Sequence, residues 1–297
     1  MTTTTHRSPA VTAGTSAAAH PPRWLAVGLM LLGVAVAGVA LLGPLATGVI
    51  RYHASPGALT QMAGGDVAAL LVAAPVSIVA GTLVLRGHRA GPVLALGPAV
   101  YVVYTYTQLA LSVDVTRYAG NSERFFPLLA GLFVLAAAIA LRAWAAIDAA
   151  ALPATSRRVD RVLGVFLLVV AAFLTFGLHL PGMLDALRAQ PTGPEYLADP
   201  FLFWLVKFMD LAIVVPALVT IGIGILRGSA WAHRAIYAAV GWFALLGSAV
   251  AGMAIVMQAT GDPAASTGNT VAFTLFAAVG LAVAVTVYRP LFAPPRA

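Results

Sequence analysis

The sequence predicts an all-α protein, a polytopic transmembrane helix bundle of eight spans arranged as two tandem four-helix repeats. Uncharged apolar runs at 24–50, 90–113, 162–184, 235–261 and 263–288 exceed what a membrane crossing needs. A helix rising about 1.5 Å per residue covers a ~30 Å hydrocarbon core in roughly 20 residues. Of 297 residues, 61% are hydrophobic and 9% charged, against about 25% charged in soluble domains. The third observation is an echo between the halves. Eleven residues separate Pro75 from Gly87 and Pro216 from Gly228, and both stretches end in Arg-Gly, at Arg86-Gly87 and Arg227-Gly228.

The elements follow in order. Residues 1–22, rich in Thr, Ser, Ala and Pro without apolar periodicity, read as a disordered cytoplasmic tail. The first apolar run is too long and uniform for a cleavable signal peptide. Spans are expected at about 24–46, 66–86, 91–112, 125–147, 161–181, 201–226, 234–257 and 268–288. They group into a first repeat over 23–148, a cytoplasmic linker over 149–160, a second repeat over 161–288 and a cytoplasmic tail over 289–297. Four spans per unit make the repeats parallel, related by an axis along the membrane normal.

Arginine sets the orientation. With the N-terminus cytoplasmic, that side holds Arg7, Arg23, Arg86, Arg89, Arg142, Arg157, Arg158, Arg161, Arg227, Arg234, Arg289 and Arg296. The other keeps Arg51, Arg117, Arg124, Arg188 and Lys207. Twelve against five is a positive-inside pattern, so both termini are placed in the cytoplasm and the protein in the plasma (inner) membrane. The basic balance then reflects orientation and not nucleic-acid binding, since the arginines stand singly at loop ends.

Several chemistries fall away. Without cysteine there are no disulfides, thiol nucleophiles or Fe–S ligands. No glycine-rich phosphate loop or zinc-ligand spacing is present. His179 and His53 are not placed for a b-type haem, so no cofactor is expected.

Charge inside a span is costly, roughly 2.5–3.5 kcal/mol at a helix centre. Lys207, the only lysine, and Asp210 sit three apart near the outer end of the sixth span, close enough to pair. They read either as a protonatable or ion-binding pair, or as a snorkelling lysine with a carboxylate leaning on it. Asp66, after Gly64-Gly65, is expected to open the second span, either capping it or facing Lys207 across the repeat axis. Gly97, Tyr101, Tyr104 and Gln108 form one helical stripe on the third span. That stripe serves either interhelical hydrogen bonding or a site, and Tyr106, off the stripe, reads as an interfacial anchor.

These residues point first to a transporter or ion-pathway protein. Asp210 and Lys207 would be its charged elements, and Tyr101, Tyr104, Gln108 and Asp66 its lining, for a small polar solute, a cation or a proton. The alternatives are a membrane-embedded enzyme acting on a lipid or lipid-linked substrate, with Asp210 or His179 as acid–base group, and a non-catalytic scaffold for a membrane partner subunit.

Overall fold

The computed structural model describes residues 22–293. Residues 1–21 and 294–297 lie outside them, and with them nearly all of the expected N-terminal tail and the end of the C-terminal one. Helices joined by loops make up the described residues, with no strand among them. Eight helices among them are long and apolar enough to cross a membrane: α1 (Arg23–Leu42), α2 (Pro56–Leu85), α3 (Ala90–Leu111), α4 (Ser122–Ala146), α5 (Arg157–Ala186), α6 (Pro200–Leu226), α7 (Ala230–Thr260) and α8 (Thr267–Phe292). Large apolar side chains point outward along them, Leu71, Leu141, Phe201 and Phe208 among others. A belt of that extent suits lipid and not water, and the chain is built as a multi-pass membrane protein.

Prolines shape the helices. Three π turns interrupt them, Ala69–Ala73 in α2, Phe173–His179 in α5 and Asp210–Val214 in α6. Each ends two residues before a proline, at Pro75, Pro181 and Pro216. A proline lacks the N–H for the i−4 carbonyl and its ring crowds that carbonyl, so the preceding turn widens to i→i+5 spacing. Downstream, α2 and α6 close alike. Gly87 and Gly228 take φ of 65° and 70°. Each then donates back to the preceding turn, Gly87 to Val84 and Gly228 to Ile225. Only glycine adopts that left-handed conformation at little cost.

Two boundaries differ from expectation for local reasons. α2 begins at Pro56, ten residues before the predicted start, because Ser55 accepts the Ala58 amide and Pro56 fits the first helical position. α5 begins at Arg157, inside the expected linker, because Ser156 caps it through the Val159 amide. The first residues of the expected C-terminal tail are also packed. Arg89 donates to the carbonyls of Leu291 (3.0 Å) and Ala293 (2.8 Å), and His88 stacks on Phe292.

α3 and α7 occupy the centre. α3 packs against α2, α4, α7 and the start of α6, while α7 also contacts α2, α6 and α8. Lipid offers apolar helices no hydrophobic gain for associating, so close approach between small residues has to hold them together. Gly97 on α3 lies against Gly241 on α7, and Gly64 on α2 against Gly252 and Met253 on α7.

The polar contacts sort into two faces. On one, Arg89 binds the chain after α8, Arg234 stacks on Trp144, and His233 meets Asp160. On the other, the Ser55 amide donates to Asp199, the Tyr118 hydroxyl to the Ala198 carbonyl, and the Arg51 amide to Asn121.

Candidate functional site

Three helices converge on one carboxylate. Asp210 opens the π turn of α6, ten residues or about 15 Å from the helix start. The Tyr104 hydroxyl of α3 donates to its Oδ1 at 2.6 Å, and Nε2 of His179, from α5, lies 2.7 Å from its Oδ2. All three residues are buried, Asp210 at 6% exposure and His179 at 3%. Trp242 of α7 packs edge-on against the Tyr104 ring, centroids 5.5 Å apart.

Both carboxylate oxygens are taken, yet the cluster is not closed. Nδ1 of His179 and Nε1 of Trp242 are buried without a partner. An unmade hydrogen bond at a buried polar atom costs about 1–3 kcal/mol, so such atoms mark places where a water or a ligand group is accommodated. Asp210 and His179 can exchange a proton across their contact, and the free Nδ1 can take one up or release it on the far side of the ring. Gln108, one turn beyond Tyr104, neighbours the same phenol.

Lys207 does not pair with Asp210. No carboxylate oxygen lies within salt-bridge distance of Lys207 among the described residues. Its Nζ sits 3.5 Å from the centroid of the Phe203 ring instead. The i,i+3 spacing that suggested a pair is not used, because His179 and Tyr104 claim the two carboxylate oxygens. The cation rests on an aromatic face, and its stem runs past Gly182.

The stripe on α3 divides as well. Tyr104 serves Asp210, while Tyr101 lies within electrostatic reach of Asp66. Asp66 does not open its helix. It sits ten residues inside α2, so the capping expected of it falls to Ser55. Nor does it meet Lys207: no ion pair joins them among the described residues. Tyr106 is buried beside Tyr52 and Tyr101 and is not an interfacial anchor.

Sequence reasoning missed the His179–Asp210 contact and the place of Trp242. The first was detectable. α5 and α6 are consecutive, hence antiparallel, and His179 lies seven residues before the end of one while Asp210 lies ten after the start of the other. Nothing in the sequence singled out Trp242.

His53 is fully engaged elsewhere. Its Nδ1 lies 2.6 Å from the Tyr118 carbonyl and its Nε2 2.6 Å from a Glu123 oxygen. Only the doubly protonated ring donates to both. The carbonyl first, then the carboxylate, hold its pKa above the usual 6.5, against desolvation. A raised folded-state pKa gives stability that is complete below the unfolded value and fades as pH rises through the folded one. Melting curves of wild type and His53→Gln should therefore differ most at pH below about 6.5 and converge at alkaline pH. A gap independent of pH would mean that the ring is not charged in the fold.

Among the described residues, no three His, Asp or Glu side chains converge as a metal site would require. Compared with protein-family models, curated proteins and solved structures, the chain has no match.

Proposed function

We propose that this chain is a membrane transporter or ion-pathway protein whose polar site is the Asp210–His179–Tyr104 cluster. The observation that carries the proposal is the carboxylate itself. A group costly to bury is held inside an apolar bundle, bridged to an imidazole and a phenol from two other helices. A scaffold gains nothing from such a group that an apolar side chain would not supply more cheaply. The arrangement suits a proton or a small cation, and Lys207, three residues toward the helix start, adds a positive charge on the approach from that face. An enzyme acting on lipid with Asp210 or His179 as acid–base group fits less well, because both side chains are sealed from the lipid-facing surface.

The test is flux. Purified protein in liposomes should dissipate an imposed proton or cation gradient faster than empty liposomes. Absence of flux for protons, alkali cations and small polar solutes alike would sink the transport reading.

The duplication is part of the same proposal. Its support lies in the equal six-residue offset from the π-turn starts at Ala69 and Asp210 to Pro75 and Pro216, and in the left-handed Gly87 and Gly228 that follow. We place both termini on the cytoplasmic side of the plasma membrane, from the arginine asymmetry. The absence of cysteine makes this readily testable. In intact cells an impermeant thiol reagent should label Gln190→Cys and spare Ala154→Cys, and the opposite result reverses the orientation.

A further inference from the structure

We infer that Asp66 and the C-terminal end of α1 form a second site, separate from Asp210, that holds one hard monovalent cation, either a proton or Na+. The site begins with a missing amide. The carbonyl of Ala40 would accept from the residue four positions on, but that residue is Pro44, which has no N–H. The chain closes the rest of the helix end without it. Gly43 donates to Val39, Thr47 to Leu41, Ile50 to Leu42 and Gly48 to Gly43, and none of these amides reaches Ala40.

Asp66 faces this end. Its Oδ2 is buried and has no hydrogen-bond partner. A methyl group placed on Gly43 would lie 2.9 Å from that oxygen, 3.2 Å from the Val39 carbonyl and 3.6 Å from the Ala40 carbonyl. The Val39 carbonyl already accepts from Gly43, so two acceptors without a donor, the Asp66 Oδ2 and the Ala40 carbonyl, face one glycine at the negative end of the α1 dipole. Acceptors facing one another without a donor repel, and burial deepens the cost. A proton on Asp66, donated to a carbonyl, resolves the conflict, and so does a cation bound between the oxygens. One carboxylate among neutral oxygens balances a single positive charge, which disfavours a divalent ion.

The surroundings agree. The titratable groups facing Asp66 are the buried phenols of Tyr52, Tyr101 and Tyr106, none of them cationic. The backbone amide of Leu45 also approaches the carboxylate. Arg51 in the covering loop is exposed and makes no ion pair with it, and α7 approaches α2 there through Gly252 and the Met253 backbone. Asp262 stands near Gly57, nine residues closer to the helix start. Asp66 and Asp210 lie at the same depth, each ten residues into a helix that starts with proline at the same face. Tyr104 of α3 donates to Asp210, whereas no hydroxyl donates to the Asp66 Oδ2. This site does not depend on Asp210 conducting anything.

The test uses the full-length protein in detergent, melted in NaCl and in choline chloride at equal ionic strength across a range of pH. Infrared difference spectra read protonated carboxyl groups in the same samples. If Na+ is the ligand, each tenfold rise above its dissociation constant should lift the wild-type Tm by about 3 °C, with no effect of choline. If the proton is the ligand, a protonated-carboxyl band should persist at neutral pH and ignore Na+. Either signal should vanish in Asp66→Asn, whose amide keeps the shape and the neutral charge and so keeps the Tm in choline. Comparison with Asp210→Asn assigns the band. Pro44→Ala, which supplies the missing amide to Ala40, should weaken the Na+ response or make the band disappear at lower pH. The inference fails if Asp66→Asn leaves both signals intact, if wild type shows neither, or if Asp66→Asn melts far lower in choline, since the ionised carboxylate would then be a structural partner.

Discussion

Asp210→Asn should reduce flux through the reconstituted protein by about 100-fold or more while leaving it folded, the scale on which loss of a proton-transferring group acts. Asparagine has nearly the shape of aspartate, and its oxygen can still accept from Tyr104. What is lost is the charge and the ability to carry a proton. Truncating the partners should act on stability as well. His179→Ala leaves a buried carboxylate oxygen unpaired, and an unmade hydrogen bond at such an atom costs about 1–3 kcal/mol. A double-mutant cycle then separates the two candidate partners of the carboxylate. Asp210 and His179 should couple by about 1–3 kcal/mol, whereas Asp210 and Lys207 should be close to additive, because Lys207 rests on Phe203. Strong coupling to Lys207 and none to His179 would contradict the geometry. So would undiminished flux in Asp210→Asn.

The largest effect on stability should come from Gly64→Ala. A methyl group there would stand 2.4 Å from the Met253 Cα and 2.5 Å from the Gly252 carbonyl oxygen. Both are backbone atoms, so no side-chain rotation relieves the clash, and α2 and α7 have to move apart along their contact. Overpacking of this kind costs about 3 kcal/mol, at the upper end of its usual range. That corresponds to a Tm lower by about 6–12 °C. Gly38→Ala and Gly131→Ala are the controls, since nothing lies within 4 Å of the added carbon at either position. They should melt at or slightly above the wild-type temperature, because alanine is the better helix former. Equal melting of Gly64→Ala and the controls would show that the crossing is looser than its backbone distances indicate.

The features visible in the sequence are those set by solvent and by nearest neighbours. Long uncharged apolar runs between Arg23 and Phe292 must be helices in lipid, because nothing else there satisfies the backbone. Pro75 and Pro216 mark where helices are disturbed, and Arg86-Gly87 and Arg227-Gly228 mark where they stop. Local signals failed only where hydropathy outweighed them. The polar stretch after Pro56 looked like a loop, although Ser55-Pro56 is a helix start.

The site was legible as a set of residues and not as an arrangement. Asp210, Tyr104 and Asp66 stand out because each is costly to bury, a property of the residue alone. Which of them meet depends on the rotation of each helix about its axis and on which helices are neighbours, and neither quantity is written in one helix's sequence. The Asp210 carboxylate is claimed by His179 and Tyr104 from two other helices, while Lys207, one α-helical turn before it, rests on Phe203. The glycine crossings at Gly64 and Gly97 bring α7 against α2 and α3, placing Trp242 on Tyr104. The sequence by itself determined the membrane class, the eight helices and the polar residues they carry. Only the tertiary structure decided that Asp210 meets His179 and Tyr104 and not Lys207, because helix packing selects partners across the bundle while sequence spacing selects only a face.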